Sequence, residues 1–385
     1  MERDERIRYL RQMILPNIGE EGQQRLKDAR ILILGLGGLG SPAAYYLAGA
    51  GIGTLGLCDA DRVELHNLHR QILHRTEQIG TAKTESSRQA LQSLNPEVNL
   101  KLHPEGLHAN NAIELIQNYD LVLDGSDNFP TRYLASDAAC LTATPYIYGS
   151  IFQFEGQVSL FHPAQEGPSY RCLFPEMPEP GTVPNCAEAG VFGALCGVIG
   201  SLQAMEAIKW FTQTGTSLIG RLLTIDALTM KMREIKIKKD PQSPLIGENP
   251  TIKEIISENY EWSCESTTNN NMNTNHEDSS TPSEVSVNEA HQRLTQTNPP
   301  CLLDVREPHE NEICSIKGSR LIPLGEVAER SQELPQDQPI LVYCHHGMRS
   351  LKATELLINK GMKAQNIQGG IDAWAQELEP EMPRY

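Results

Sequence analysis

The chain has 385 residues, 39% of them hydrophobic, and a formal net charge of −16 at neutral pH. That length allows two or more domains with separate cores, and the acidic balance speaks against nucleic acid or anionic membrane as a partner, because their phosphates would be repelled. Nine scattered cysteines suit reduced thiols better than a disulfide framework.

The N-terminus, M-E-R-D-E-R-I-R-Y-L, is charged and lacks an apolar signal core, so a cytoplasmic protein is expected. The longest apolar run, 190–208, is interrupted by Gln203 and Glu206 and does not read as a membrane span. Residues 3–28 read as two short amphipathic helices broken at Leu15-Pro16. Next comes A-R-I-L-I-L-G-L-G-G-L-G at 29–40, a buried parallel strand that ends in a tight turn and opens a helix. Gly35, Gly37 and Gly40 fall on G-x-G-x-x-G, a spacing that lets backbone N–H groups and a helix N-terminus approach a phosphate. A second strand ends at Asp59, where a ribose partner belongs.

A helix over 83–94 stops before Asn95-Pro96, since the residue preceding proline is forced out of the helical region. A strand at 98–102, a helix at 110–118 and a strand at 120–124 complete a β-α-β-α-β alternation, which is doubly wound α/β. Strands at 145–150, 156–161 and 222–237 follow, the later ones antiparallel, with a long helix over 193–212 between them. Near Ser263 the composition shifts to Asn, Thr, Ser and acidic residues that cannot offset the entropy of folding. The expected division is therefore 1–250, a flexible linker at 251–283, and a small α/β domain at 284–385.

A glycine fingerprint alone leaves NAD and other nucleotides open. NAD carries its pyrophosphate on backbone and dipole and needs no set of cations. Cleaving the α–β anhydride of a triphosphate needs positive groups on the phosphates and a carboxylate for Mg²⁺, and Arg11, Arg70, Lys83 and Asp127 are suitable types. ATP is the expected nucleotide.

R-Y-L-R-Q, G-L-G-G-L-G, Asp59 with Asp61, N-L-x-R-Q, K-x-E-S, D-G-S-D-N, Y-R-C-L-F and G-V-I-G-S-L-Q-A-M-E-A-I-K together resemble the MoeB/ThiF family of ubiquitin-activating-enzyme-like adenylyltransferases, over roughly 3–240. The resemblance implies a Rossmann-like mixed sheet. It also implies adenylation of the C-terminal Gly-Gly of a small ubiquitin-like sulfur carrier, such as serves molybdenum cofactor or thiamin synthesis. It places Gly38, Asp59, Asn67, Arg70, Lys83, Asp127 and Asn128 around ATP and magnesium. Arg11 matches an arginine that reaches the neighbouring subunit's site, so a homodimer is implied.

Family members usually hold a structural zinc with two C-x-x-C pairs. Here Ser169-Tyr-Arg-Cys172 and Ser243-Pro-Leu-Ile246 stand in their places, so no zinc is expected and packing alone should hold the region. Cys186, in V-P-N-C-A-E-A-G-V, matches the cysteine that can take the activated carrier as a thioester or acyl disulfide.

Cys344-His-His-Gly-Met-Arg349-Ser350 lies between a buried strand and a helix, a place where converging N–H groups stabilise a thiolate or persulfide. Four residues separate Cys344 from Arg349, one too few to cradle a phosphate as Cys-based phosphatases do. His345 and His346 read as polar neighbours rather than metal ligands. With L-L-D-V-R-E-P-H-E, I-P-L-G-E and G-G-I-D-A-W, residues 284–385 resemble a rhodanese domain. That resemblance makes Cys344 the persulfide carrier and Arg349 an anion contact, with a cysteine desulfurase or thiosulfate as sulfur donor.

Overall fold

The computed structural model describes residues 1–179, 190–260 and 284–384, and these fall into two compact units, 1–260 and 284–384. The first unit begins with helices α1 (Arg3–Met13) and α2 (Gly19–Asp28). Alternation follows with β1 (Arg30–Leu34), α3 (Gly40–Ala50), β2 (Thr54–Cys58), α4 (Lys83–Leu94), β3 (Asn99–His103), α5 (Ala112–Gln117) and β4 (Leu121–Asp124). Then come α6 (Phe129–Leu141), β5 (Tyr146–Phe152), β6 (Glu155–Phe161), α7 (Gly193–Thr212), β7 (Arg221–Asp226) and β8 (Lys231–Lys236).

The eight strands run in the order β3-β2-β1-β4-β5-β6-β7-β8. Pairings from β3 through β5 are parallel and those from β5 through β8 antiparallel, so the sheet is mixed, as expected. β1 occupies the middle of the parallel half because both its faces are apolar. Ile31 and Ile33 join one core cluster, Leu32 and Leu34 the other. Each fully buried side chain of this kind contributes about 1.5–3 kcal/mol.

Two glycines shape the turn that follows β1. Gly35 has φ +78°, a region L side chains rarely adopt. A Cβ on Gly40 would sit 1.9 Å from the Gly35 carbonyl oxygen, so helix and strand can meet this closely only through glycine.

Two sequence expectations differ from the fold. Helix α6 was not anticipated: Asn128 caps it by accepting the Thr131 N–H at 2.9 Å, and Pro130 sits in its first turn, where proline is tolerated. Residues 251–260, expected at the head of a linker, pack on the first unit. Tyr260 is 6% exposed and donates its hydroxyl to Asp137 Oδ2 at 2.9 Å. Residues 261–283 lie outside the described residues.

The second unit contains β9 (Glu284–Val285), α8 (Val287–Leu294), β10 (Cys301–Asp304), α9 (Pro308–Ile313), β11 (Arg320–Leu321) and α10 (Leu324–Arg330). It continues with β12 (Ile340–Tyr343), α11 (Met348–Asn359), β13 (Ala364–Ile367) and α12 (Gly370–Glu377). Its five strands are all parallel, in the order β11-β10-β12-β13-β9. A fully buried Arg306–Asp304 pair, 2.6 Å apart, fastens the end of β10. Among the described residues no helix is long and apolar enough to cross a membrane.

Candidate active site

A cavity of about 550 Å³ opens at the carboxyl ends of the parallel strands of the first unit. Such sheets bind ligands at this edge. Gly35, Gly37, Gly38, Asp59, Asp61, Arg70, Lys83, Asp127 and Asn128, all anticipated from sequence, line it.

Asp59 is placed by the end of β2, and its carboxylate serves the turn: Oδ2 accepts the Leu36 N–H at 2.7 Å and Oδ1 the Asp61 N–H at 2.8 Å. On the other side of Leu36, the carbonyl accepts from His74 Nε2 at 3.0 Å, so the ring's Nδ1 is left to face the Ser86 hydroxyl at 2.9 Å. Burial pushes the His74 pKa down to about 4, so the ring is neutral near pH 7. Sequence reasoning missed this histidine; its one signal is its place three residues after N-L-H-R-Q.

Lys83, the first residue of α4, is 5% exposed. Its ammonium lies 2.8 Å from Asp61 and 4.0 Å from Asp59. Burial raises the Asp59 carboxyl pKa, and the lysine and the two backbone donors oppose that rise. A buried ammonium is thereby held at the cavity wall beside the glycine turn.

Arg70 lines the cavity while its Nη1 contacts the His66 carbonyl at 3.1 Å and His69 Nε2 at 2.9 Å. Asn67 is 5% exposed and does not line the cavity. Its Oδ1 accepts the Glu64 N–H at 3.2 Å, so in this structure it shapes the turn that presents Arg70. Gly40 likewise stands behind the wall as a packing residue. Arg11 is exposed on α1 and away from this cavity.

Asp127 is exposed at the cavity mouth and takes part in no side-chain hydrogen bond or ion pair among the described residues. A carboxylate so placed fits a divalent cation accompanying a polyphosphate. Three further lining residues carry buried side-chain atoms without a hydrogen-bond partner among the described residues: Gln71 Oε1, Ser126 Oγ and Arg132 Nε. Buried polar atoms are normally satisfied, so these orphans fit a polar ligand in the cavity. Arg132 was missed because the helix that carries it was missed. Cys186 lies outside the described residues.

The four positions where zinc ligands are usual in the resembling family come together differently from expectation. Ser169 Oγ lies 3.5 Å from Cys172 Sγ and 3.4 Å from Ser243 Oγ, and the Asp240 N–H reaches Cys172 Sγ at 3.4 Å. A hydrogen-bonded knot, not packing alone, joins these segments. Among the described residues no group of three or more His, Cys, Asp or Glu could hold a metal ion.

In the second unit Cys344 directly follows β12 and is 1% exposed. Its sulfur accepts the Gly347 N–H at 3.1 Å and the Ser350 hydroxyl at 3.3 Å, donors that suit an anionic sulfur. Gly347, at φ +95°, lets the loop turn back on the thiol. The start of α12 clamps the loop from outside: Ile371 N–H donates to the Cys344 carbonyl at 2.9 Å and Asp372 N–H to that of His345 at 3.1 Å. Arg349, expected to meet an anion, is held by Glu310 in a two-bond pair of 2.6 and 2.7 Å. In this geometry it anchors the loop to α9. Burial pushes the His345 pKa down to about 4.

The model of the ThiF family matches residues 9–245, and that of the rhodanese-like domain matches 286–377. The chain is 42% identical to a probable adenylyltransferase/sulfurtransferase MoeZ of Mycobacterium tuberculosis, over 100% of this chain and 96% of that protein. It is 41% identical to the adenylyltransferase and sulfurtransferase MOCS3 of Drosophila sechellia, over 99% of this chain and 85% of that one. A sulfur carrier protein adenylyltransferase of Thermus thermophilus is 49% identical over 68% of this chain and 97% of its own length. Among solved structures, E. coli MccB aligns with a TM-score of 0.57 at 22% identity, covering 63% of this chain and 75% of that one. PaaA aligns at 0.55 and 23% identity, covering 62% and 76%.

Proposed function

The chain belongs to the ThiF family and carries a rhodanese-like domain, and from that premise we propose that it adenylates the C-terminal Gly-Gly of a small ubiquitin-like sulfur carrier and converts it to a thiocarboxylate. The observation that carries this reading is the buried Lys83 ammonium beside a glycine turn, in one cavity with Arg70 and the unpaired Asp127 carboxylate. Lys83 and Arg70 neutralise the phosphates. Charge develops on the departing pyrophosphate, and preorganised cations stabilise it without reorganisation. Magnesium, which arrives with the nucleotide and shields its charge, would be held by Asp127 and the phosphates.

The carrier's carboxylate oxygen forms a bond to the α-phosphorus as the α–β anhydride breaks, giving acyl-adenylate and pyrophosphate. The terminal sulfur of a Cys344 persulfide then attacks the acyl carbon and AMP leaves, so carrier and enzyme are joined through an acyl disulfide. A thiol, Cys186 or an external one, releases the thiocarboxylate by exchange. The persulfide comes from a cysteine desulfurase or thiosulfate. In this reading the first unit, 1–260, is the adenylating domain, 284–385 is the sulfur-bearing domain, and the stretch between them is the tether.

A homodimer completes it, with Arg11 reaching the neighbouring subunit's site. The support is apolar: α1 with the residue that ends it, α3 and α7 leave Ile7, Leu10, Ile14, Tyr46 and Met205 between 49% and 64% exposed. Surfaces of this kind mark contacts with other chains. The test is ATP–pyrophosphate exchange, expected only with a Gly-Gly-ended carrier; exchange without the carrier, or none with it, would overturn the proposal.

A further inference from the structure

Arg132 sits one turn into α6, four residues after the capping Asn128. It is 7% exposed and lines the nucleotide cavity. A guanidinium offers five N–H donors. One Nη2 donor goes to the Ser126 carbonyl at 2.9 Å, and Nη1 reaches Ser150 Oγ at 3.5 Å. Among the described residues Nε has no hydrogen-bond partner. A carboxylate, Asp124, lies 3.5 Å from Nε, but its oxygens already accept the Tyr146 hydroxyl and the Ser126 N–H. The rings of Tyr148 and Phe129 lie 5.3 and 5.9 Å from the guanidinium carbon.

The cavity wall thus holds a buried cation that, beside its ion pair with Asp124, has N–H donors to spare, and a buried donor left unsatisfied is costly unless a ligand completes it. Lys83 and Arg70 follow β2, whereas Arg132 follows β4 and neighbours Tyr148 and Ser150 of β5. The cavity's cations therefore come from two sides, one set beside the glycine turn and Arg132 beyond the Asp124–Asn128 loop.

We infer that Arg132 receives the free main-chain carboxylate of the carrier's terminal glycine, holding one oxygen while the other attacks the α-phosphorus. The inference rests on the functional reading above and adds the residue and the recognised group. The new O–P bond takes its electron pair from the carboxylate, the bond from the α-phosphorus to the bridging oxygen breaks, and pyrophosphate leaves with the pair of that broken bond; no proton moves. A terminal amide has no anion for Arg132 and binds more weakly.

The probe is a recombinant ubiquitin-fold carrier ending in Gly-Gly, prepared as free acid and as C-terminal amide. Both forms are titrated against the full chain loaded with α,β-methylene ATP, which occupies the phosphate cations and cannot release pyrophosphate. Wild type is expected to bind the acid roughly tenfold or more tightly than the amide, the scale of a charged hydrogen bond. Arg132→Met should bind both forms alike, and Arg132→Lys should restore part of the preference. Equal binding of acid and amide by wild type, a comparison that needs no variant to fold, would overturn the inference. So would a preference that survives in Arg132→Met. If the acid form supports no pyrophosphate exchange with wild type, the functional reading itself fails; if exchange is intact and the two forms bind alike, only the role of Arg132 fails.

Discussion

Lys83→Met removes an ammonium but keeps most of the apolar stem, so it separates charge from packing. Two carboxylates lose a partner. Asp61 has a side chain 72% exposed, and such a pair contributes within about 1 kcal/mol. The Asp59 side chain is 7% exposed and 4.0 Å away; at an effective dielectric near 20 the attraction is about 4 kcal/mol, much of it offset by the desolvation of the ammonium. A net loss of about 2 kcal/mol is expected, or about 4–8 °C in the melting temperature of a unit this size. Catalysis should suffer more, because a preorganised charge at a developing oxyanion contributes roughly 10²–10³ in rate. Calorimetry and ATP–pyrophosphate exchange on the same preparation compare the two effects. Without Lys83 the raised Asp59 carboxyl rises further. The folded variant then binds a proton that the unfolded chain has released, so its stability deficit grows with increasing pH and closes once both proteins are protonated there. Exchange within about threefold of wild type would refute the role assigned to this lysine.

Cys344→Ala should leave pyrophosphate exchange within about twofold of wild type and abolish thiocarboxylate formation, read by mass spectrometry of the carrier; lost exchange would contradict the division of labour. His74, neutral with a pKa of about 4 against its ordinary 6.5, binds no proton where the unfolded chain does. The first unit should therefore lose of order 3 kcal/mol as pH falls from about 6.5 to about 4, and His74→Gln should remove that slope; an unchanged slope argues against the assignment. Ser169, Cys172 and Ser243 already converge, so changing Ser169, Ser243 and Ile246 together to Cys should create a thiolate site that takes up one zinc per chain, measured by metal analysis after dialysis. No uptake would mean that the side chains there do not point to a common centre.

Local signals were legible wherever the chemistry is local. The apolar strand and its glycines, the stop of α4 before Asn95-Pro96, the whole of α7 and the strand–loop–helix around Cys344 each follow from a few neighbouring residues. What escaped depends on distant partners. Spacing offers Asp59 as a ribose partner but does not show that both its oxygens hold backbone N–H groups, one of them across 23 residues. Arg349 reads as an anion contact by its place after Cys344, but its bidentate partner Glu310 lies 39 residues earlier. Helix α6 was hidden by Phe129 and Pro130 at its start, and with it went Arg132, an arginine that no periodicity distinguishes from a surface charge.

The contact between Gly40 and Gly35 bears on how such a gene can change. Any side chain at position 40 would overlap the Gly35 oxygen, whose ideal Cβ distance is 1.9 Å, so no graded series of weaker intermediates leads away from glycine. By contrast, all six residues of β8 are exposed and can be exchanged one at a time at little cost. Drift is thereby channelled to the outer strand, and a duplicated copy can acquire new surfaces while its phosphate turn stays as inherited.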